Sequence, residues 1–526
     1  MTRSRSPHTS RPSLHQCSGL HAGEGRMPAP PPLHAPAELD FPRASAALRA
    51  MVVSSVRLRD MRFHTSADLS GSDARSKDPD YSCVYAEVSF SRSADPSGQW
   101  GSREVVGVGI AFSLGRGNEL VLQAAQLLSR GLRGLSLGEL ADNFAAAWRR
   151  IVGADDGQLV WMGPERGVVH MASASLVNAA WDAWAKYEGL PLWRLVASLP
   201  AAQLAAAIDL TGIKDALGSA ADVAASLEAH GAAVAERVAE LERTGVACYT
   251  TATGWAGYSD AKVEELVQAN LALGFTRFKM KVGLGREADL RRARLMRAAL
   301  DAFAASRAAA GAACAAAAEE DPVELMMDAN SVWEVDEAVA EMHALAPLKP
   351  RWIEEPISPD DVVGQGAIAG ALRAHGIAVA SGEQCQNKVM MKQFLELGLG
   401  VCQADAVKMG GLNEWLACAL LARRKGVPMC PHAGGVGLCN MAPHLSCIDY
   451  AVVSGERTGR VTEYVDHLQE HFERPLSLLR GGRYAAPTAP GWGLDMKAES
   501  LAAYEWPTGS YWASRPDHFD CAGTPW

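Results

Sequence analysis

The chain has 526 residues, 48% of them apolar and 21% charged, which supplies ample material for a buried core and sets aside a fibrous or disordered chain. Fifty basic residues against sixty acidic ones leave a net charge of −10, so no general attraction to nucleic acid or anionic membranes follows. The longest stretch without Asp, Glu, Lys or Arg, residues 426–448, contains Pro428, Pro431, Pro443, His432 and His444 and does not read as a membrane span.

Eleven cysteines without a C-x-x-C pair, and no N-x-[ST] sequon, fit reduced thiols in an intracellular compartment, either the cytoplasm or an organelle such as the mitochondrion. Residues 1–50 are rich in Arg, with a Pro-rich run at 28–36 and no apolar h-region. They read as a disordered or targeting extension. Residues 52–63 and 83–90 alternate like strands. Between them, residues 65–81 form a polar loop of the length that lids have. Residues 136–151 read as a helix, with Ser136 and Glu139 in capping-box spacing, and residues 168–184 as another. Residues 51–200 therefore make an α+β domain, followed by a helical linker at 201–244.

From Gly245 short apolar runs alternate with amphipathic helices. Strands are expected at 275–282, 323–328, 352–353, 377–380 and 401–404, and helices at 286–300 and from Leu412 onward. This rhythm means a parallel sheet, and the number of units fits an α/β fold of the (β/α)8 (TIM-like) barrel type over residues 245–464. A doubly wound sheet is the rival, without a G-x-G-x-x-G or P-loop motif to support it. The Ala-rich run 304–320 reads as an insertion on the face away from the strand ends, without chemistry of its own.

Polar residues fall where the strands end. Lys279 and Lys281 share one parity of their strand, and Asp328, Asn330, Glu354, Glu383, Asp405, His432 and Glu463 follow the later ones. From Asp328 the carboxylates and the histidine recur at 22 to 31 residues, about one βα unit, so they converge on one barrel face. Asp328, Glu354 and Glu383 form an all-oxygen set suited to one hard divalent ion, with Mg²⁺ the expected cofactor. Two adjacent lysines should depress each other's pKa, which would make a Lys usable as a base near neutral pH. A carboxylate on an imidazole, Asp405 on His432, fixes the tautomer and stabilises the cation. An acid/base on each side of a metal site suits removal of a proton beside a carboxylate.

These strings resemble the enolase superfamily in its mandelate racemase-like branch: FKMKVG at 278–283, MMDAN ending at Asn330, WIEEP at 352–356, SGEQ at 381–384, and the Asp405/His432 pair. GSDARSKDPDYS (71–82), GPERGVVHMA (163–172), ISPDD (357–361), PHAGGVGLC (431–439) and EYVDHLQEHF (463–472) narrow the resemblance to the L-fuconate dehydratase family. It implies a hydro-lyase acting on a small-molecule acid sugar, and a homo-oligomer. It also implies that residues 51–200 and the C-terminal segment 465–526 together cap the barrel. By position it implies Asp328, Glu354 and Glu383 as Mg²⁺ ligands, and Lys281 and His432 as acid/base groups with Asp405 orienting His432. Lys279, Asn330, Glu383 and Glu463 then contact substrate, as do Gly71, Ser72, Asp73 and Tyr81 from the lid. The pattern departs at Ser331-Val332, Glu334 and Asn440-Met441, where Gln-Arg, Asp and Glu-Leu would be expected.

Within the same class the alternative is a dehydratase or epimerase for another aldonate or aldarate. The rival of a different class is a non-catalytic barrel with a regulatory or RNA-related role, which the presence of every ligand and base and the acidic charge disfavour. His467 and His471, at i and i+4, invite a zinc reading, but no third ligand is evident, and a solvated helix face is expected.

Overall fold

The computed structural model of the chain describes residues 39–92, 101–311 and 321–519. Three long strands, β1 (Val52–Arg62), β2 (Ser82–Arg92) and β3 (Arg103–Ser113), form an antiparallel meander in the order β1-β2-β3. Arg62 pairs with Ser82, so the sheet register brings together both ends of the 65–81 loop. β3 escapes the sequence reading because Gly107 and Gly109 weaken its strand character. Their absent side chains have a packing reason. A Cβ at Gly107 would lie 1.9 Å from the Ala179 carbonyl oxygen, and one at Gly109 2.0 Å from that of Ser175.

The sheet is covered by α1 (Asn118–Leu128) and α3 (Gly167–Glu188), and α2 (Leu137–Val152) packs against α3. α2 begins as its sequence predicts: Ser136 Oγ accepts from the Glu139 N–H at 3.1 Å and Glu139 Oε2 from the Ser136 N–H at 2.9 Å. α3 is buried almost all round from Ala172 to Ala185, because it separates the sheet from a second layer.

Residues 39–50 correct the expected extension. Leu39, Phe41 and Leu48 are buried, Ser45 caps the one-turn helix Ala46–Arg49, and Arg49 pairs with Asp142 of α2. Three apolar side chains within ten residues are enough to hold this stretch on the domain; residues 1–38 lie outside the described residues. The C-terminal segment also returns here. Tyr85 Oη donates to the Leu494 carbonyl at 3.1 Å and Trp512 Nε1 to that of Arg62 at 3.0 Å.

The second layer is the predicted barrel. Its parallel strands are β4 (Val246–Thr250), β5 (Arg277–Lys281), β6 (Glu324–Asp328), β7 (Trp352–Glu354), β8 (Ala378–Ser381) and β9 (Val401–Cys402), then a bridge from Cys402 to Met429, and β10 (Thr462–Tyr464). β10 pairs back onto β4, Thr462 opposite Cys248, which closes the ring. Helices α4 (Asp260–Ala272), α5 (Arg286–Gly311), α6 (Val335–Leu345), α7 (Val362–Leu372), α8 (Lys388–Glu396), α9 (Leu412–Lys425) and α10 (Leu438–Ile448) alternate with the strand positions. After β10 the chain leaves for the C-terminal segment without an eighth barrel helix among the described residues. α5 outruns its expected end at 300 because the first part of the Ala-rich run is strongly helix-forming; residues 312–320 of that insertion lie outside the described residues. The expected linker, 201–244, is helical over much of its length.

Inside the barrel Tyr249, Met326, Trp352, Ala380, Val401, Cys430 and Val461 make one apolar layer. Phe278 and Met280 of β5 pack in the other core, which leaves Lys279 and Lys281 to point inward. The eight cysteines among the described residues are buried and unpaired, and no helix there is long and apolar enough to cross a membrane.

The α-helical layer is bolted to the barrel by polar contacts. Trp148 Nε1 donates to the Gly410 carbonyl, Asn178 Nδ2 to that of Ala406 at 2.9 Å, and Trp181 Nε1 to Asn413 Oδ1 at 2.8 Å. His170 of α3 pairs with Glu414 of α9, both with fully buried side chains, and Glu414 Oε1 accepts from the Lys388 N–H at 2.8 Å. Burial alone would raise the Glu414 carboxyl, but His170 and Lys388 outweigh it and hold its pKa below the usual range. That stability is present above the ordinary Glu range and is lost as pH falls through the lowered value. Glu414→Gln should therefore cost about 3 kcal/mol at neutral pH, the scale for breaking a buried pair. Urea unfolding should show the difference from wild type shrinking below about pH 4.

Candidate active site

The strand ends gather most of the residues singled out from the sequence. A cavity of about 200 Å³ is lined by Lys279, Lys281, Asn330, Glu383, Asp405, His432 and Glu463 from the barrel and by Gly71, Asp73 and Tyr81 from the 65–81 loop. Asp328 and Glu354 lie directly beneath, fully buried. Ser72 does not line it. Its Oγ accepts from the Gly257 N–H at 3.0 Å and its carbonyl from the Ala256 N–H at 3.0 Å, so it fastens the lid to the loop after β4.

The floor is a network of opposed charges. Lys279 Nζ lies 2.7 Å from Glu354 Oε1, 2.8 Å from Glu463 Oε1 and 3.5 Å from Asp328 Oδ2, while Lys281 Nζ lies 2.5 Å from Asp328 Oδ2. These pairs overturn the expected lowering of the lysine pKa. Burial and the neighbouring ammonium do press Lys281 down, but Asp328 outweighs them, and Glu354 and Glu463 act likewise on Lys279, so both are raised. The carboxylates respond unequally. Burial would raise Asp328 and Glu463, yet Lys281 and Lys279 hold Asp328, and Lys279 and His432 hold Glu463, at about 2. Glu354 is pushed up to about 8, because burial and the crowding of Asp328, Glu463 and Glu383 exceed what Lys279 returns. Glu355, also buried, is raised by burial and then by Glu383, Asp328 and Glu354.

On the other side His432 Nδ1 is 2.8 Å from Asp405 Oδ2, and its Nε2 is 3.6 Å from Glu383 Oε2. Burial acts to lower this imidazole, but Glu383, the Asp405 hydrogen bond and Glu463 together hold it at about 10. Asp405 is fixed in turn by the Val407 N–H at 2.7 Å, and Glu463 by the Ala433 N–H at 2.8 Å.

The backbone here is strained. Asn330, Ser331 and Glu355 have φ of 46°, 62° and 39°, in the left-handed region that non-glycine residues avoid. Asn330 Oδ1 and Thr251 Oγ1 are buried without a hydrogen-bond partner and belong to residues that border the cavity. In the lid, Asp73 Oδ1 accepts from the Arg75 N–H at 2.7 Å and the Ser76 N–H at 2.5 Å, and burial raises its pKa. Gly71 has φ 80°, and a Cβ there would come within 2.3 Å of Tyr81 Oη.

Several lining residues escaped the sequence reading, among them Arg75, Thr251, Trp255 and Lys408. Thr251 and Trp255 follow β4, a strand outside those expected from the sequence. His467 and His471 correct another expectation. They lie on no exposed helix: His467 packs its ring 4.9 Å from that of Tyr81 and 5.4 Å from that of Trp255, and His471 lies 4.6 Å from Phe63. The C-terminal return buries them, which a local periodicity cannot register.

Asp328 and Glu354 beneath the cavity and Glu383 on its wall are all-oxygen donors, a chemistry that could hold a hard divalent cation. Residues 262–500 match the family described as Enolase C-terminal domain-like. L-galactonate dehydratase of Hypocrea jecorina is 41% identical over 459 residues, 87% of this chain and 94% of that one. Mitochondrial enolase superfamily member 1 of Homo sapiens is 40% identical over 461 residues, 88% of this chain and 97% of that one. The crystal structure of that human protein superposes with a TM-score of 0.79 at 39% identity, covering 88% and 98% of the two chains. L-talarate/galactarate dehydratase from Salmonella typhimurium LT2, liganded with Mg and L-lyxarohydroxamate, shares the fold at a TM-score of 0.61 and 21% identity, covering 89% and 96%. Together with the closed barrel and its convergent polar strand ends, these likenesses show that the chain belongs to the enolase superfamily.

Proposed function

We propose that this chain is a Mg²⁺-dependent acid-sugar dehydratase that converts L-fuconate to 2-keto-3-deoxy-L-fuconate and water. The observation that carries the reading is the meeting of Lys281, the His432–Asp405 pair and the carboxylate cluster at one lidded cavity. The likeness to a protein named L-galactonate dehydratase supports L-galactonate, which differs from L-fuconate by a hydroxyl at C6, as the second substrate to test.

Asp328, Glu354 and Glu383 would hold Mg²⁺. Bound there, the ion would supply positive charge for the substrate carboxylate and for the charge that develops on it. Lys281 Nζ and His432 Nε2 then take or give protons at C2 and C3. The C2–H bond breaks and its electron pair enters the enediolate. The C3–O bond breaks next, and the hydroxyl takes a proton and leaves as water. The resulting enol is protonated at C3 and ketonises. Which of the two groups removes the C2 proton is set by the configuration at C2. Asp405 holds the His432 ring and stabilises its charged form. Lys279 keeps Glu463 ionised and offsets part of the charge on Glu354, while Asn330 and Glu463 offer bonds to substrate oxygens. The lid excludes water and turns Asp73 and Tyr81 toward the distal hydroxyls.

Purified protein with Mg²⁺ should yield 2-keto-3-deoxy acid from L-fuconate, with chelation abolishing turnover. Failure to dehydrate either L-fuconate or L-galactonate, in a screen where another acid sugar reacts, overturns the substrate; C2 inversion without loss of water makes the chain an epimerase instead. In D₂O, the variant lacking the true C2 base, Lys281→Ala or His432→Asn, should neither dehydrate substrate nor exchange its C2 proton, whereas the other variant can still exchange. Gly71→Ala should lower kcat/KM by about 10²-fold, the scale of a misplacement near 1 Å, because the new methyl group displaces the Tyr81 ring. Its melting temperature should shift by only a few degrees, since the lid lies outside the barrel core.

A further inference from the structure

At the neck of the lid, away from the cavity, three potential metal ligands meet from three distant parts of the chain. His64 follows β1 and Asp80 precedes β2, so the β1–β2 register sets them side by side. His518 arrives from the C-terminal segment. One ligand atom from each lies within 4.8 Å of the other two. His518 Nε2 is 2.6 Å from Asp80 Oδ2, and the His64 and His518 rings stand 4.4 Å apart at 69°.

Each of the first two ligands has an outer partner that holds it in place. His64 Nδ1 is 2.8 Å from Tyr511 Oη, which leaves Nε2 free to coordinate. Asp80 Oδ1 accepts from the Ser66 N–H at 3.1 Å, which leaves Oδ2. An imidazole oriented through its second nitrogen and a carboxylate oriented through its second oxygen are the usual form of a metal ligand. We infer that His64, Asp80 and His518 form a second metal site, specific for a divalent transition ion such as Zn²⁺, that ties both ends of the lid to the C-terminal segment.

The ligand chemistry separates this site from the barrel floor. Two imidazoles and one carboxylate suit Zn²⁺ and its neighbours, whereas the all-oxygen set in the barrel suits Mg²⁺. Three protein ligands leave a fourth tetrahedral position for water. The consequence for the lid is mechanical. Asp80 adjoins Tyr81, which lines the cavity, and the neck is already drawn together by Thr65 Oγ1, which donates to the Pro79 carbonyl at 2.7 Å and accepts from the Tyr81 N–H at 2.9 Å. An ion clamped across the neck therefore steadies the lid without touching substrate.

Co²⁺ is the probe, because tetrahedral coordination gives it visible absorption bands. Titrated into the full chain in excess Mg²⁺, one Co²⁺ per chain should develop these bands, and Zn²⁺ should displace it. His518→Ala and His64→Gln should each remove the bands, Tyr511→Phe should weaken binding by about 10-fold, and Asp328→Asn in the barrel should leave them intact. Hydrogen exchange of residues 65–81 should slow when Zn²⁺ is added. Absence of the bands in the wild-type chain, or their survival in both histidine variants, reduces the cluster to a His518–Asp80 ion pair and overturns the site. Their loss in Asp328→Asn assigns the metal to the barrel and overturns it equally. Should His518→Ala fail to fold, His64→Gln and the wild-type titration still decide.

Discussion

Buried charge at the mouth of the barrel is the constraint around which the rest is arranged. Asp328, Glu354, Glu355 and Glu463 are all out of solvent, with Lys279 and Lys281 as the buried ammonium groups set among them. Carboxylates cannot be held together in such a place without compensation, because each raises the pKa of the others. The two lysines settle Asp328, while Lys279 and His432 settle Glu463, and Glu354 and Glu355 are left high. A site built this way favours a divalent cation and an anionic substrate over neutral ligands. Lys281 and His432 stand at the edge of the cluster, where they reach the cavity, while the deepest carboxylates do not.

The surrounding structure is committed to keeping that cluster dry and in register. α3 lies between the antiparallel sheet and the barrel, with Gly107 and Gly109 permitting its close approach on one side. On the other side, Asn178 and Trp181 grip the 406–413 loop that follows Asp405. The same element thus supports the sheet that carries the lid and the loop that fixes the His432 partner. Positive φ at Asn330, Ser331 and Glu355 marks where the strand ends are bent to present their side chains, a strain that the packed barrel beneath can hold. Ser331 is one of the departures from the family pattern, and its hydroxyl lies 3.4 Å from Glu355 Oε2. Asn440, another, joins the C-terminal return by donating to the Gly493 carbonyl at 2.9 Å.

Much of this was legible in the sequence, and for one reason. A parallel barrel writes its fold as a period, strand then helix at a near-constant interval, and its site as polar residues at one phase of that period. The spacing alone places Asp328, Glu354, Glu383, Asp405, His432 and Glu463 on a common face, and strand parity sets Lys279 and Lys281 on one side of their strand. The capping box at Ser136 was equally local, and it formed as read.

What the period does not encode, only the tertiary structure decided. The third strand was hidden by glycines whose purpose is a contact with α3. Ser72, which the family resemblance implies as a substrate contact, spends its hydroxyl on the Gly257 N–H, since a loop residue's direction depends on what the loop lands on. The raised pKa of Lys281 depends on a distance to Asp328 that no sequence separation of 47 residues fixes. The cluster of His64, Asp80 and His518 is the extreme case, with Asp80 and His518 438 positions apart in the chain. Local sequence determined which elements form and which faces are polar, because those follow from steric and hydrophobic periodicity along the chain. Tertiary structure decided which charges compensate each other and where the lid and the C-terminal segment close, because those depend on distances through space.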